Sequence, residues 1–191
     1  TALLSHITGA KGYPAFGRDL YARLVAEKKL FILPSVVKAT GIFPDALPRA
    51  VESGEVYGLD EIRTGKHVPG FFKDYETAYA VLVLSLALQT KAALDMTGYG
   101  GRGTIFTEGG FRKNDAYNAV LSALYPDSRC VLTNLAEATA FGAALLGKAA
   151  LQKTTPMQTA SYFEIETTEV EKVSLPGLDR YSDMFTTLVN A

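Results

Sequence analysis

Apolar positions along the chain fall into short runs whose spacing changes from region to region. Within residues 12–29, Leu20, Leu24 and Val25 share one face at helical spacing, which predicts a short amphipathic helix. Leu30-Phe31-Ile32-Leu33, closed by Pro34, predicts a buried strand. Residues 38–75 then carry Gly41, Pro44, Pro48, Gly54, Gly58, Gly65, Pro69 and Gly70. Breakers at that density predict loop with short excursions, and a loop of that length is often a functional lid.

Residues 76–96 give the clearest helix. The stretch is rich in Ala and Leu, has no internal Gly or Pro, and is apolar almost all round, with Leu82, Leu86 and Ala93 among its members. That pattern predicts deep burial. Beyond it, residues 104–107 read as a strand, 114–124 as a helix, 129–132 as a strand and 135–149 as a helix. Strand and helix alternate, so the fold class is α/β. After Lys153 the pattern weakens: residues 162–173 alternate faintly and are acidic. Residues 179–189 predict a closing helix with Tyr181, Phe185 and Leu188 on its inner face. No internal repeat is present.

Composition narrows the function. The chain has 191 residues, 48% hydrophobic and 20% charged, enough for one to one and a half domains with a sizeable core. Its net charge of −1 and lack of a basic run argue against nucleic acid or an anionic membrane as partner. Cys130 is the single cysteine, in the apolar run Cys130-Val131-Leu132, so it reads as a small buried hydrophobe in a chain suited to a reducing cytoplasm. His6 and His67 stand far apart without a ligand cluster, which argues against zinc. The apolar run at residues 78–88 is too short to span a bilayer. The N-terminus has no signal-peptide pattern and no initiating Met, so Thr1 is not expected to be a natural start.

The segment that carries chemistry is Thr107-Glu108-Gly109-Gly110-Phe111-Arg112-Lys113-Asn114-Asp115. A strand ends, two glycines follow and a helix begins. Glycine lets a ligand approach the main chain, because no Cβ blocks it. Free N–H groups at a helix start favour a phosphate, and ligands favour the carboxyl ends of strands in open α/β sheets. Asn114, four residues past Gly110, has both donor and acceptor for a purine edge. A plain tight turn between strand and helix explains the same glycines. The segment is neither a Walker A loop nor a Rossmann fingerprint. A second feature, Glu137-Ala138-Thr139-Ala140-Phe141-Gly142-Ala143-Ala144, puts tiny residues on one helix face. Such a face allows close approach of another backbone or a cofactor, or close packing of the helix on its own sheet.

In their order and spacing these two segments, from Thr104 to Leu146, resemble the C-terminal domain of the FGGY carbohydrate kinases. The helix from Tyr79 to Gln89, the Leu33-Pro34-Ser35 segment and the tail Leu175-Pro176-Gly177 with Tyr181 also fit that family. The resemblance implies an actin-like, ribonuclease H-like domain with a central sheet flanked by helices, spanning residues 1–191, the N-terminal sugar-binding domain being absent. It implies an ATP-dependent transferase, with Mg²⁺, acting on a hydroxyl of a small sugar or ketose. Gly110 and Asn114 would hold adenine and ribose, Gly109 would lie near the α-phosphate, and Phe111 would sit beside the purine. The family's Asp-x-Gly-Thr loop and the Gly-x-x-Asp segment of its catalytic base have no counterpart here. No catalytic residue is therefore named, and the chain alone is expected to show no turnover. Leu84-Ser85 stands where the family usually has Glu-Gly. That departure suits the alternative of an actin-like binding or regulatory module without kinase activity. The loop at residues 38–70 is expected to close over the cleft or to form a homodimer contact.

Overall fold

The fold was obtained as a computed structural model, which describes residues 9, 12–34, 41–135 and 137–191. Residues 1–5, His6, Ser35, residues 38–40 and Ala136, all part of the sequence reading, lie outside the described residues.

Helix α1 (Arg18–Glu27) buries Tyr21, Leu24 and Val25, and Leu20 packs at their margin. Strand β1 (Leu30–Ile32) pairs antiparallel with β2 (Arg49–Glu52), which pairs antiparallel with β3 (Glu55–Gly58). The region read as loop thus contains a hairpin. Its turn is Ser53-Gly54, with φ of 52° and 92°, the left-handed pair that joins two twisted strands in two residues. The strands are four residues long and end in Glu52 and Glu55, so their alternation is too brief to stand out among breakers. Helix α2 (Leu59–Thr64) and a 3₁₀ turn (Gly70–Lys73) follow.

Helix α3 (Tyr75–Met96) starts at Asp74, whose carboxylate accepts from Glu76 N at 3.2 Å and so satisfies a free amide of the first turn. Its buried residues lie between Thr77 and Leu88, and the last two turns reach solvent. By length and composition this one helix among the described residues could cross a membrane, yet 56% of its apolar window is buried inside the protein, as in a core helix.

The second sheet carries the candidate site. Strand β4 (Gly103–Thr107) runs through a 3₁₀ turn (Gly109–Lys113) into α4 (Asp115–Leu124) and on to β5 (Ser128–Thr133), parallel to β4 with Ile105 opposite Cys130. Parallel neighbours need such a crossover. Helices α5 (Ala138–Gln152) and α6 (Pro156–Ala160) follow, and β6 (Thr167–Glu169) pairs antiparallel with β5. Helix α7 (Leu178–Asn190) closes the chain, burying Tyr181, Phe185 and Val189, with Leu188 at the margin.

The α/β class holds, with a correction: two three-stranded sheets stand where one central sheet was expected. They share one core. Phe31 stacks on Tyr181 at 4.6 Å, and Tyr181 donates to Leu30 O at 2.6 Å, tying α7 to β1. Val83, Leu84 and Leu88 of α3, Val120 and Leu121 of α4 and Cys130 of β5 join the same cluster. Each such side chain contributes about 1.5–3 kcal/mol of burial. Burial raises the Cys130 thiol pKa, with Lys172 opposing it, as suits an inert core cysteine.

Candidate nucleotide-facing turn

The two glycines lie at the carboxyl end of β4, and their main chain is open. Gly110 is exposed and Gly109 half-buried, and a Cβ at either would meet nothing within 4 Å. Gly109 has φ of 62°, the left-handed region that a side chain disfavours. Glycine is therefore required at 109 by backbone conformation, whereas at 110 nothing inside the protein requires it.

The turn is held on three sides. Asn118 Nδ2, on the first turn of α4, donates to Phe111 O and Asn114 O, each at 2.9 Å. Arg112 Nη1 donates to Thr133 O at 2.8 Å, clasping the turn to the end of β5. Thr133 Oγ1 donates to Glu108 Oε1 at 3.4 Å. The Phe111 ring lies 4.6 Å from Tyr117, tilted by 41°, and is 45% exposed. Tyr117 is itself fixed by a 2.8 Å hydrogen bond with Thr90 of α3.

Asn114 departs from the sequence reading in one respect. The helix does not begin directly after the glycines; a 3₁₀ turn intervenes, and Asn114 is the N-cap of α4. Its Oδ1 accepts from Tyr117 N at 3.0 Å, so the side-chain acceptor is already engaged. The Asn114 side chain also lies by the Tyr79 phenol. Burial raises the Tyr79 pKa and Asn114 partly offsets that rise. Tyr79 Oη is buried without a partner of full hydrogen-bond geometry among the described residues, as is Asn118 Oδ1. Leu84 and Ser85 of α3 are both in the core, so neither presents a polar group to the turn.

Beside the turn lies an open depression of about 250 Å³, lined by Arg112, Lys113, Leu132, Thr133, Asn134, Glu166 and Thr168. Sequence reasoning missed Thr133, Asn134 and the β6 residues. The signal for the first two was their position at the end of a predicted strand; for β6 it was only the faint alternation over residues 162–173. A larger depression of about 440 Å³, lined by residues 42–47, Arg49 and residues 189–191, includes none of Gly109, Gly110, Phe111 and Asn114, though residues 42–49 belong to the loop expected to close over the cleft or to form a homodimer contact. No group of three or more His, Cys, Asp or Glu among the described residues is arranged to hold a metal.

The Gly-Gly turn is thus an open stretch of main chain braced between a parallel strand and a capped helix, and comparison with known proteins gives the family of the chain. A family model for the C-terminal domain of FGGY carbohydrate kinases matches residues 13–156, well over half of the chain, and the chain belongs to that family. Among solved structures, a carbohydrate kinase from Novosphingobium aromaticivorans resembles it over 99% of this chain, with 18% sequence identity and a TM-score of 0.54. That likeness speaks for the fold alone, and this chain spans 31% of that protein. No curated protein sequence matches it.

Proposed function

We propose that this chain is the ATP-binding part of a carbohydrate kinase whose whole form transfers the γ-phosphate of ATP to a hydroxyl of a sugar or ketose. One observation carries the reading: the Gly109-Gly110 main chain is open at the carboxyl end of β4, and space for a ligand replaces both missing Cβ atoms. A nucleoside would rest on Gly110 and against the exposed ring of Phe111, with the α-phosphate toward Gly109. Asn114 would contribute through its amide NH₂, since its oxygen already accepts the cap hydrogen bond of α4. Phosphoryl transfer depends on positioning and electrostatics more than on covalent chemistry. The bracing by Asn118 and Arg112 supplies positioning, because the turn needs no ordering when the ligand arrives. The described residues offer no group of three or more carboxylate, His or Cys side chains for Mg²⁺.

The test is a titration of the chain with ATP, followed by amide resonances of residues 109–114. The reading requires shifts centred on Gly109, Gly110 and Phe111, reduced in Gly110→Val. Shifts elsewhere, or none at millimolar ATP, refute it. A sugar-dependent ATPase assay on the chain alone is expected to show no turnover.

A further inference from the structure

Tyr79 stands in the second turn of α3 and is 2% exposed. Its Oη is closed off from water and has no partner of full hydrogen-bond geometry among the described residues. Buried polar atoms are nearly always paired, and an unpaired one costs stability. Packing does not explain it, because a phenylalanine ring would fill the same space with nothing left to satisfy. Tyr13 and Tyr75 each hold a ring 6.1 Å from that of Tyr79, and Tyr75 Oη donates to Gly12 O at 2.8 Å, which pins the segment beside it.

Asn114 gives the phenol a use. Its Oδ1 accepts from Tyr117 N at 3.0 Å, and an NH₂ in that place would face another donor, so the amide has one orientation. The NH₂ is left for the other side, where the Tyr79 phenol lies. Burial raises the pKa of that phenol and the Asn114 side chain works against the rise. A neutral amide does so by donating an N–H to the phenol oxygen. Asn118 Nδ2 holds the main chain of the same residue through Asn114 O at 2.9 Å. Backbone, side-chain oxygen and one amide hydrogen are thereby fixed, and the second amide hydrogen has a single direction left.

We infer that Tyr79 is a positioning residue for the glycine turn: by taking one hydrogen of the Asn114 amide, it aims the other at an acceptor atom of the bound nucleoside, a purine ring nitrogen or a ribose oxygen. The inference rests on the nucleotide reading of the turn and adds to it a residue from a separate helix. Tyr79 does not touch the ligand, because its oxygen is covered. Its effect is to remove side-chain freedom from Asn114 before the ligand arrives, so that less order has to be gained on binding. An amide tied only at its oxygen keeps the cap of α4 but not the aim.

The experiment compares Tyr79→Phe, Asn114→Ser and the double variant with the unaltered chain, by calorimetric titration with ATP, by urea denaturation and by the exchange with water of the Asn114 side-chain amide hydrogens. Tyr79→Phe should keep the urea midpoint at or above that of the unaltered chain and weaken ATP binding about fivefold, as one mis-aimed hydrogen bond does. The double variant should bind no more weakly than Asn114→Ser, since the phenol acts only through the amide. Before any ATP is added, one Asn114 amide hydrogen should exchange more slowly than the other, and the difference should vanish in Tyr79→Phe. Titrations with 2′-deoxy-ATP, 3′-deoxy-ATP and ring-deaza ATPs locate the acceptor: the analogue that lacks it should bind the unaltered chain and Tyr79→Phe alike. A urea midpoint that falls in step with affinity makes Tyr79 structural only and overturns the inference. So do losses that multiply in the double variant, equal exchange of the two hydrogens in the unaltered chain, or a Tyr79 effect that survives in every analogue. ATP affinity unchanged in Tyr79→Phe but weakened in Gly110→Ala overturns this inference and leaves the nucleotide reading standing; an unaltered chain that binds no ATP overturns both.

Discussion

The paired substitutions Gly109→Ala and Gly110→Ala separate what the backbone requires from what a ligand requires. Neither added methyl meets an atom within 4 Å, so sterics inside the protein contribute nothing to either. Gly109 sits at φ 62°, where an L-residue costs about 1–2 kcal/mol. Loss of unfolded-state freedom returns roughly 0.4–1 kcal/mol. Gly109→Ala should therefore destabilise by about 1 kcal/mol. Gly110 is not held in the left-handed region, so Gly110→Ala should be neutral or up to about 1 kcal/mol stabilising. With a urea slope of about 2 kcal/mol/M, the Gly109 variant should lose about 0.5 M in midpoint and the Gly110 variant none. ATP affinity should run the other way: the stable Gly110→Ala protein should bind at least tenfold more weakly, about 1.4 kcal/mol. Equilibrium urea denaturation and calorimetric titration read the two quantities on the same samples. Equal midpoint losses would refute the backbone argument. Unchanged ATP affinity in Gly110→Ala would refute the placement of the nucleoside.

Three further outcomes are expected. Asn114→Ala should cost about 1 kcal/mol in urea denaturation through the lost cap; Asn114→Ser, which keeps a cap, should recover most of that and isolate any loss of ATP affinity to the amide. Tyr181→Phe keeps the stack on Phe31 but leaves the Leu30 carbonyl without its donor, and should lower stability by about 1–2 kcal/mol in the same assay. Burial raises the pKa of Tyr21, Tyr181 and Tyr125 above the ordinary 10.0, with Asp95 adding to the rise at Tyr125. The folded state therefore holds these protons longer than the unfolded chain. Their contribution is whole below pH 10 and drains away as pH climbs past it, so tyrosinate absorbance should appear together with cooperative unfolding rather than before it.

Much of the fold was legible because its signals are local. Helix α3 follows from an uninterrupted apolar run, α7 from the spacing of Tyr181 and Phe185, and β4 and β5 from short apolar runs between breakers. The hairpin β2–β3 was not legible: two four-residue strands are stabilised by pairing with each other and with β1, partners that a local window does not contain. The Gly-Gly turn was found from residue type, but not what braces it. Arg112 reaches Thr133, twenty-one positions away, and nothing around Arg112 announces that partner.

The sequence by itself determined the long helix α3, the strand–helix–strand run from β4 to β5, the closing helix α7, the family, and the presence of a glycine pair between a strand and a helix. Periodicity and residue type act over a few positions, and those properties are set at that range. Only the tertiary structure decided that Asn114 spends its oxygen on capping α4, that Leu84 and Ser85 face the core, and that α5 lies bare. Each of these depends on which surfaces meet across the fold, and an apolar helix looks the same in sequence whether its own chain covers it or not.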